Sequence, residues 1–212
     1  MISRATARSA LRTDPALARA GVYGLLACLF SYPDARTCAR ISSGEMNDLL
    51  CCLPFAVAAV PVPAEALNEA DLAAEYLRLF ELPGEHGSCV LFGGCYEKNR
   101  QAAMEELLRF YRHFGLTIDG AQARDMPDSL PTVLEFMQFL CVNESRGGDA
   151  ASARSAQRDL LARHLTRWAP GMKVQLRTMS PEPVYACTLE MMNNFFSADL
   201  EYLSSVFEVP ID

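Results

Sequence analysis

One stretch of the chain decides the fold: MPDSLPTVLEFM, residues 126–137. From Leu130 onward its apolar residues recur every three or four positions, which places their side chains on one face of an α-helix. The full apolar stripe is Leu130, Val133, Leu134, Met137, Leu140 and Cys141. Asp128 is a suitable N-terminal cap, and Gly147-Gly148 is a suitable end. The pattern therefore predicts a core helix from Asp128 to about Ser145.

The same helical spacing recurs along most of the chain, and the alternation typical of strands is nowhere sustained. Further helices are predicted over Pro15–Ser31, Ala35–Ile41, Glu45–Leu53, Ala64–Phe80, Tyr96–Phe114, Ala150–Trp168 and Pro181–Leu203. Pro170-Gly171 is predicted to stop the helix that precedes it. We expect an all-α fold, a single-domain helical bundle of about seven or more helices. Residues 1–14 would be a flexible N-terminal segment and residues 15–212 the domain.

The chain is acidic, since 19 Lys and Arg against 26 Asp and Glu give a formal charge of −7 over 212 residues. Such a chain is a poor binder of nucleic-acid phosphates and a better match for a basic partner. Eight cysteines, mostly within apolar helical patterns, indicate free thiols in the cytoplasm rather than a disulfide framework. Residues 25–28 resemble a lipoprotein processing site, but the chain stays apolar beyond them, which favours a first helix. No apolar run is long enough to span a membrane.

Two carboxylates on the central helix are candidate ligands for a cationic peptide. Asp128 and Glu135 are seven residues apart, nearly two turns, so both can share a face with about 10 Å between them along the axis. That distance is too great for a shared proton, but it suits two separate cationic side chains. Pro131, between them, is a third candidate. Two simpler interpretations stay open: Asp128 as a helix cap and Glu135 on a solvated face.

A second stretch places aromatic residues around a long connector. Tyr76 and Phe80 precede the Gly- and Pro-rich residues 81–95, and Tyr96 and Arg100 follow them. Long connectors in compact domains are often binding loops. We expect an apolar groove here beside the acidic patch. Such a groove would bind a peptide in which arginines are followed by an apolar segment.

The sequence lacks the motifs of common enzyme classes. It has no Gly-rich phosphate-binding loop, and no recognisable catalytic motif surrounds its three histidines. Cys89, Cys95 and His86 could supply three zinc ligands, but their spacing matches no zinc motif. We therefore predict a chain that is not an enzyme and holds no metal, with an enzyme or metal protein that uses these three residues as an alternative.

The two stretches resemble the TorD/DmsD/NarJ family of redox-enzyme maturation chaperones. Residues 126–137 are similar to the family's signature helix start, in which an acidic residue after proline precedes an apolar helix. Residues 79–84 and 109–116 are similar to chaperones of the type II dimethyl-sulfoxide-reductase group, which serve ethylbenzene, dimethylsulfide, selenate and chlorate enzymes. Asp128 matches the acidic motif residue. Ser129 departs from the histidine usual in the TorD and DmsD branches, which favours the nitrate-reductase-like branch.

This resemblance implies an all-helical cytoplasmic chaperone. Its implied partner is the immature catalytic subunit of a molybdenum oxidoreductase, bound through its twin-arginine signal peptide or another N-terminal part. The chaperone would hold that subunit until molybdopterin guanine dinucleotide is inserted, and its own contact with the cofactor would be transient and through the client. A monomer or a dimer is expected. The alternative from another class is a helical adaptor or scaffold unrelated to molybdenum enzymes.

Overall fold

A computed structural model describes residues 11–58, 60, 68–82, 87–118 and 126–208 of the chain. Their α-helices are α1 (Pro15–Leu29), α2 (Ala35–Ser42), α3 (Glu45–Leu50), α4 (Glu69–Tyr76), α5 (Arg100–His113), α6 (Leu130–Ser145), α7 (Ala150–Leu160), α8 (Thr166–Arg177) and α9 (Pro183–Glu208). Within these ranges there is no β-strand, and Phe92 and Ser129 form an isolated bridge. The predicted all-α fold is confirmed.

Three tighter or wider turns are the other helical elements of the described residues. The π-helical turn Leu77–Glu81 extends α4, and a second, Leu161–Leu165, joins α7 to α8. A 3₁₀ turn, Gly93–Tyr96, leads into α5. No helix among the described residues is both long and apolar enough to cross a bilayer. The division into residues 1–14 and 15–212 stays a prediction, although Leu11–Thr13 already form a helical turn.

Helices α1 and α6 form the centre of the bundle. Helix α1 is buried around most of its circumference, whereas α6 is buried mainly along the face that its apolar spacing predicts. The buried residues of α1 include Val22, Leu25, Leu26 and Leu29, and those of α6 are Leu130, Val133, Leu134, Phe136, Met137, Leu140 and Cys141. The predicted core stripe of α6 is therefore confirmed in full.

A buried charged network ties α1 to three other helices. Arg19 is fully buried; its Nε donates to Asp199 at 2.5 Å, its Nη1 donates to Glu144 at 3.0 Å, and its Nη2 donates to Gln157. The Tyr23 hydroxyl also donates to Asp199, at 2.6 Å. Because an unpaired buried charge is costly, any shift of one helix along another would break these pairs. The network therefore fixes how α1, α6, α7 and α9 pack together.

The predicted stop before Pro170 is wrong. The chain remains helical through this proline, which lies inside α8. Proline removes one backbone hydrogen bond from a helix, at a cost of about 3 kcal/mol. The residues around it, Trp168, Ala169, Met172 and Leu176, are all buried, so packing offsets that cost.

Other helix ends differ from the predicted ones by a few residues. Asn68 caps α4, whose described part begins at Glu69; the predicted start at Ala64 lies outside the described residues. Helix α9 begins at Pro183 rather than Pro181, because Ser180 adopts a left-handed backbone with φ of +48°. Neither shift changes which elements pack together.

Candidate functional site

An open cleft of about 520 Å³ lies between the end of α4, the start of α6 and the connector that precedes the 3₁₀ turn. It brings together four of the predicted site residues, Tyr76, Phe80, Pro131 and Glu135. Its remaining lining residues are Ser31, Glu81, Ser88, Val90, Leu91, Phe92, Ser129 and Thr132. We call residues 88–92, which form one side of this cleft, the wall segment.

Aromatic rings form much of the cleft. The Tyr76 and Phe80 rings lie 5.1 Å apart between centroids, and Tyr32 packs edge-on against Tyr76 at 5.8 Å. Tyr32 is 45% exposed, and Leu82, next to the lining residue Glu81, is 58% exposed. Exposed apolar side chains beside a concave apolar surface are typical of a site that a partner covers.

The charge of the cleft is negative. Glu81 and Glu135 are its ionisable carboxylates, and no lining residue among those described is basic. Glu135 has no hydrogen-bond or salt-bridge partner within the described part of the chain. Glu135 is exposed on α6, and partial burial of its carboxyl against the cleft raises its pKa, because burial disfavours the charged form.

Asp128 does not line this cleft, and the predicted cap role of its side chain is wrong. Ser129 occupies the cap position of α6 and makes no side-chain cap bond. The Asp128 carboxylate is fully buried and accepts from Arg100 Nε at 2.8 Å and Nη2 at 3.2 Å. It also accepts from the Gly94 N–H at 3.2 Å, and the Asp128 carbonyl accepts from the Gly93 N–H at 2.7 Å. Asp128 thus fastens the 3₁₀ turn to the start of α6.

Arg100 and Tyr96 likewise lie behind the wall segment rather than in the cleft. The Arg100 guanidinium sits over the Phe92 ring, 5.2 Å from its centroid, while it pairs with Asp128. The Tyr96 hydroxyl is 2.9 Å from the Val90 carbonyl oxygen and 2.7 Å from Gln175 Oε1. Burial raises the pKa of Tyr96, so this hydroxyl stays protonated and donates. The structure therefore separates the predicted residues into a lining set and a supporting set.

Sequence reasoning missed Gln175, which contacts the back of the wall segment. Its Nε2 donates to the Ser88 carbonyl at 2.6 Å, and its Oε1 accepts from the Val90 N–H at 3.4 Å. No helix was predicted around Gln175, because Pro170-Gly171 indicates a break. The spacing of Trp168, Met172 and Gln175 on one helical face was the available signal.

The structure describes two of the three candidate zinc ligands, Cys89 and Cys95. Cys89 is buried, and burial raises the pKa of its thiol to about 11, so it is protonated at neutral pH. Cys95 is exposed, and His86 lies outside the described residues. Among the residues that the structure describes, no group of three His, Cys, Asp or Glu side chains could hold a metal ion.

A buried histidine lies beside the turn that supports the wall segment. The His164 ring has its two nitrogens 3.5 Å from Glu97 and 3.4 Å from Glu106, with Arg163 paired to Glu106. Burial lowers the pKa of His164, and this effect outweighs the attraction of the two carboxylates. Glu97 also accepts from Trp168 Nε1 at 3.0 Å. The neutral imidazole is thus enclosed by acidic groups and an aromatic ring.

Comparison with known proteins places this fold and cleft in a family. Residues 49–173 match the model of the nitrate reductase delta subunit family. The chain is 32% identical to the perchlorate reductase assembly chaperone protein of Dechloromonas aromatica (strain RCB), over 90% of this chain and 92% of that protein. It is 35% identical to the chlorate reductase assembly chaperone protein of Ideonella dechloratans, over 82% and 83% of the two chains.

A third relative is the selenate reductase assembly chaperone protein of Thauera selenatis, 34% identical over 79% of this chain and 81% of that protein. The matches span most of both partners in each pair, so they cover the helices on both sides of the cleft. They also agree with the resemblance carried by residues 79–84 and 126–137. The chain therefore belongs to the nitrate reductase delta subunit family, within the TorD/DmsD/NarJ group of maturation chaperones.

Proposed function

We propose that this chain is an assembly chaperone for the catalytic subunit of a molybdenum oxidoreductase. In this proposal it works in the cytoplasm, binds the immature subunit while the molybdenum cofactor is inserted, and delays export. Three relatives that carry the name of assembly chaperones for perchlorate, chlorate and selenate reductases support the class of client. The observation that carries the proposal is the open, acidic and apolar cleft at the start of α6.

The cleft has the chemistry to bind a twin-arginine signal peptide. A guanidinium group pairs well with a carboxylate, and Glu135 stands in the cleft without a partner among the described residues. The aromatic and aliphatic surface next to it suits the apolar segment that follows the arginines. Each apolar side chain that becomes buried contributes about 1.5–3 kcal/mol. Ordering a flexible peptide opposes binding by about 2–5 kcal/mol. The balance predicts moderate affinity, which lets the client leave after assembly.

Lining and supporting residues have different roles in this proposal. Tyr76, Phe80, Pro131 and Glu135 contact the client, because they line the cleft. Asp128, Arg100 and Tyr96 support the wall segment from behind, through the contacts described above. Mutation of the exposed Glu135 should therefore change affinity at constant stability, whereas Tyr76 and Phe80 are also part of the buried core, so their mutation should lower both. Mutation of the supporting set should change both.

We propose no catalytic activity and no stably bound cofactor for this chain. The described lining of the cleft offers hydroxyl groups and two carboxylates, but it pairs no nucleophile with a histidine. Any contact with molybdopterin guanine dinucleotide would pass through the bound client. We expect the chain to act as a monomer or a dimer.

Capture of the client from the native host tests this proposal. The tagged chain should retain a molybdenum oxidoreductase catalytic subunit from cells grown anaerobically, identified by mass spectrometry. Glu135→Lys should reduce the recovered amount strongly, because it places a cation where the cleft needs an anion. Glu201→Lys, at an exposed site on α9, makes the same charge change outside the cleft and should retain the client. Recovery of partners that contain no molybdenum would instead support the adaptor alternative.

A further inference from the structure

We infer that Gln175 is a positioning residue: it fixes the wall segment and thereby sets the affinity of the cleft for a guest peptide. The second half of this inference rests on the proposed function. Gln175 does not line the cleft, but its side chain bonds to three residues at or beside the wall segment. Its Nε2 donates to the Ser88 carbonyl at 2.6 Å. Its Oε1 accepts from the Tyr96 hydroxyl at 2.7 Å and from the Val90 N–H at 3.4 Å.

One face of α8 is shaped to receive the wall segment and the turn that follows it. Trp168, Gly171 and Gln175 are three and four residues apart, so they share that face. A Cβ atom on Gly93 would lie 2.1 Å from ring carbons of Trp168, and one on Gly171 would lie 2.5 Å from the Tyr96 ring. Both glycines are thus needed for close approach. The contact of Tyr96 with Gly171 is what brings its hydroxyl to Gln175.

The backbone of an extended segment needs partners for its N–H and C=O groups. On the α6 side of the wall segment these are backbone atoms: the Leu91 carbonyl accepts from the Leu130 N–H at 2.8 Å. On the α8 side the Met172 carbonyl accepts from the Cys89 thiol at 3.6 Å, but the Ser88 carbonyl and the Val90 N–H are bound by a side chain, which must supply both a donor and an acceptor. An amide side chain does so, whereas a carboxylate offers only acceptors and leucine offers neither.

The wall segment would lose this support if Gln175 were apolar. The Ser88 carbonyl and the Val90 amide would then turn to water, and residues 88–92 would sample other conformations. A guest peptide would have to order the wall segment again as it binds, which lowers its affinity. The cleft lining itself would keep its composition, since Gln175 contributes no surface to it.

Hydrogen exchange in the free protein tests the first half of this inference. In Gln175→Leu, amides of residues 88–96 should exchange about tenfold faster, as expected for the loss of the hydrogen bonds to Ser88, Val90 and Tyr96. Amides of α1 should keep their rates. Gln175→Glu keeps an acceptor for Tyr96 and Val90 but loses the donor to the Ser88 carbonyl, so it should restore only part of the protection. Val174→Ala changes a 68% exposed side chain on the same helix and is the matched control. Unchanged exchange at residues 88–96, or equal acceleration in α1, would overturn the assignment.

Peptide affinity tests the second half. The probe is a synthetic peptide with two adjacent arginines followed by leucines and alanines, and fluorescence anisotropy gives its Kd. Gln175→Leu should weaken binding about tenfold, Gln175→Glu should weaken it less, and Val174→Ala should bind like the unaltered chain. Equal affinity of Gln175→Leu and the unaltered chain would overturn the link between wall and cleft. If the unaltered chain itself did not bind the peptide, the proposed function would fail, while the exchange rates would still decide the role of Gln175.

Discussion

The pair formed by Asp128 and Arg100 should respond unequally to mutation of its two members. The Asp128 side chain is 0% exposed, whereas that of Arg100 is 39% exposed. Asp128→Asn keeps a polar group that can accept from the Gly94 N–H, while Arg100 turns to solvent. Hydrogen bonds to charged groups contribute about 1.5–3 kcal/mol. The partial exposure of Arg100 places this loss at the lower end, at about 1.5 kcal/mol of unfolding free energy.

Arg100→Ala should cost more, because it leaves a buried carboxylate without its cation. Breaking a buried pair in this way costs about 3–5 kcal/mol of unfolding free energy. Because Arg100 is partly exposed to solvent, we expect a loss at the lower end, about 3 kcal/mol. The double variant leaves no buried charge unpaired. It should therefore lose about 3 kcal/mol of unfolding free energy, rather than about 4.5 kcal/mol, the sum of the two single losses. The coupling energy between the two positions is then about 1.5 kcal/mol.

Urea unfolding at pH 7 measures these losses, with the fluorescence of Trp168, the single tryptophan of the chain, as the signal. Arg112→Ala, at an exposed position of α5, is the control and should change stability by less than about 0.5 kcal/mol. Full stability of Asp128→Asn would contradict the reasoning. Asp128 would then make no important contact within the fold and would be available to a client, as one interpretation of the sequence has it.

Three further variants test other parts of the structure. Gly93→Ala should lower the unfolding free energy by about 2 kcal/mol through overpacking against Trp168. Gly148→Ala, where a Cβ meets open space, should be tolerated. Similar urea midpoints for the two variants would contradict the close packing. Ser180→Gly should raise the melting temperature slightly, with a gain of about 0.5 kcal/mol, because glycine adopts the positive φ without strain; a lower melting temperature would argue against strain there. Burial lowers the pKa of His164, so the unfolded chain takes up a proton near pH 6.5 before the folded chain does. The stability that this site contributes is therefore full above that pH and is lost as the pH falls. His164→Gln should show a smaller drop in urea midpoint between pH 7 and pH 5.5 than the unaltered chain. An equal drop in the two proteins would contradict the assignment.

The central part of the fold could be predicted from the sequence because apolar spacing fixes which face of a helix is buried. The stripe from Leu130 to Cys141 lies in the core, as expected. The sequence predicts the cap of α6 wrongly, because a cap is inferred from neighbouring residues alone. The Asp128 side chain is instead bound by Arg100, 28 positions earlier. No local pattern reveals such a pairing.

The cleft could be predicted only in part. Its apolar and acidic lining residues, such as Phe80 and Glu135, were predicted from helical stretches that flank the connector. The roles of Tyr96 and Gln175 could not be predicted, because they depend on how α8 packs against the connector. Pro170-Gly171 indicates a helix end when considered locally, and burial of Trp168 and its neighbours overrides it.

Site-specific photocrosslinking in the native host tests the central claim most directly. A benzophenone amino acid at Thr132, which lines the cleft, should crosslink to the N-terminal segment of a molybdenum oxidoreductase catalytic subunit. Tyr185 of α9 packs against the lining residue Phe80, with 5.2 Å between ring centroids. The same benzophenone group at Glu201, exposed on α9 about 24 Å along the helix from Tyr185, should give little of that product. Equal crosslinking from both positions, or crosslinks from Thr132 to other proteins alone, would contradict a client-binding cleft at the start of α6.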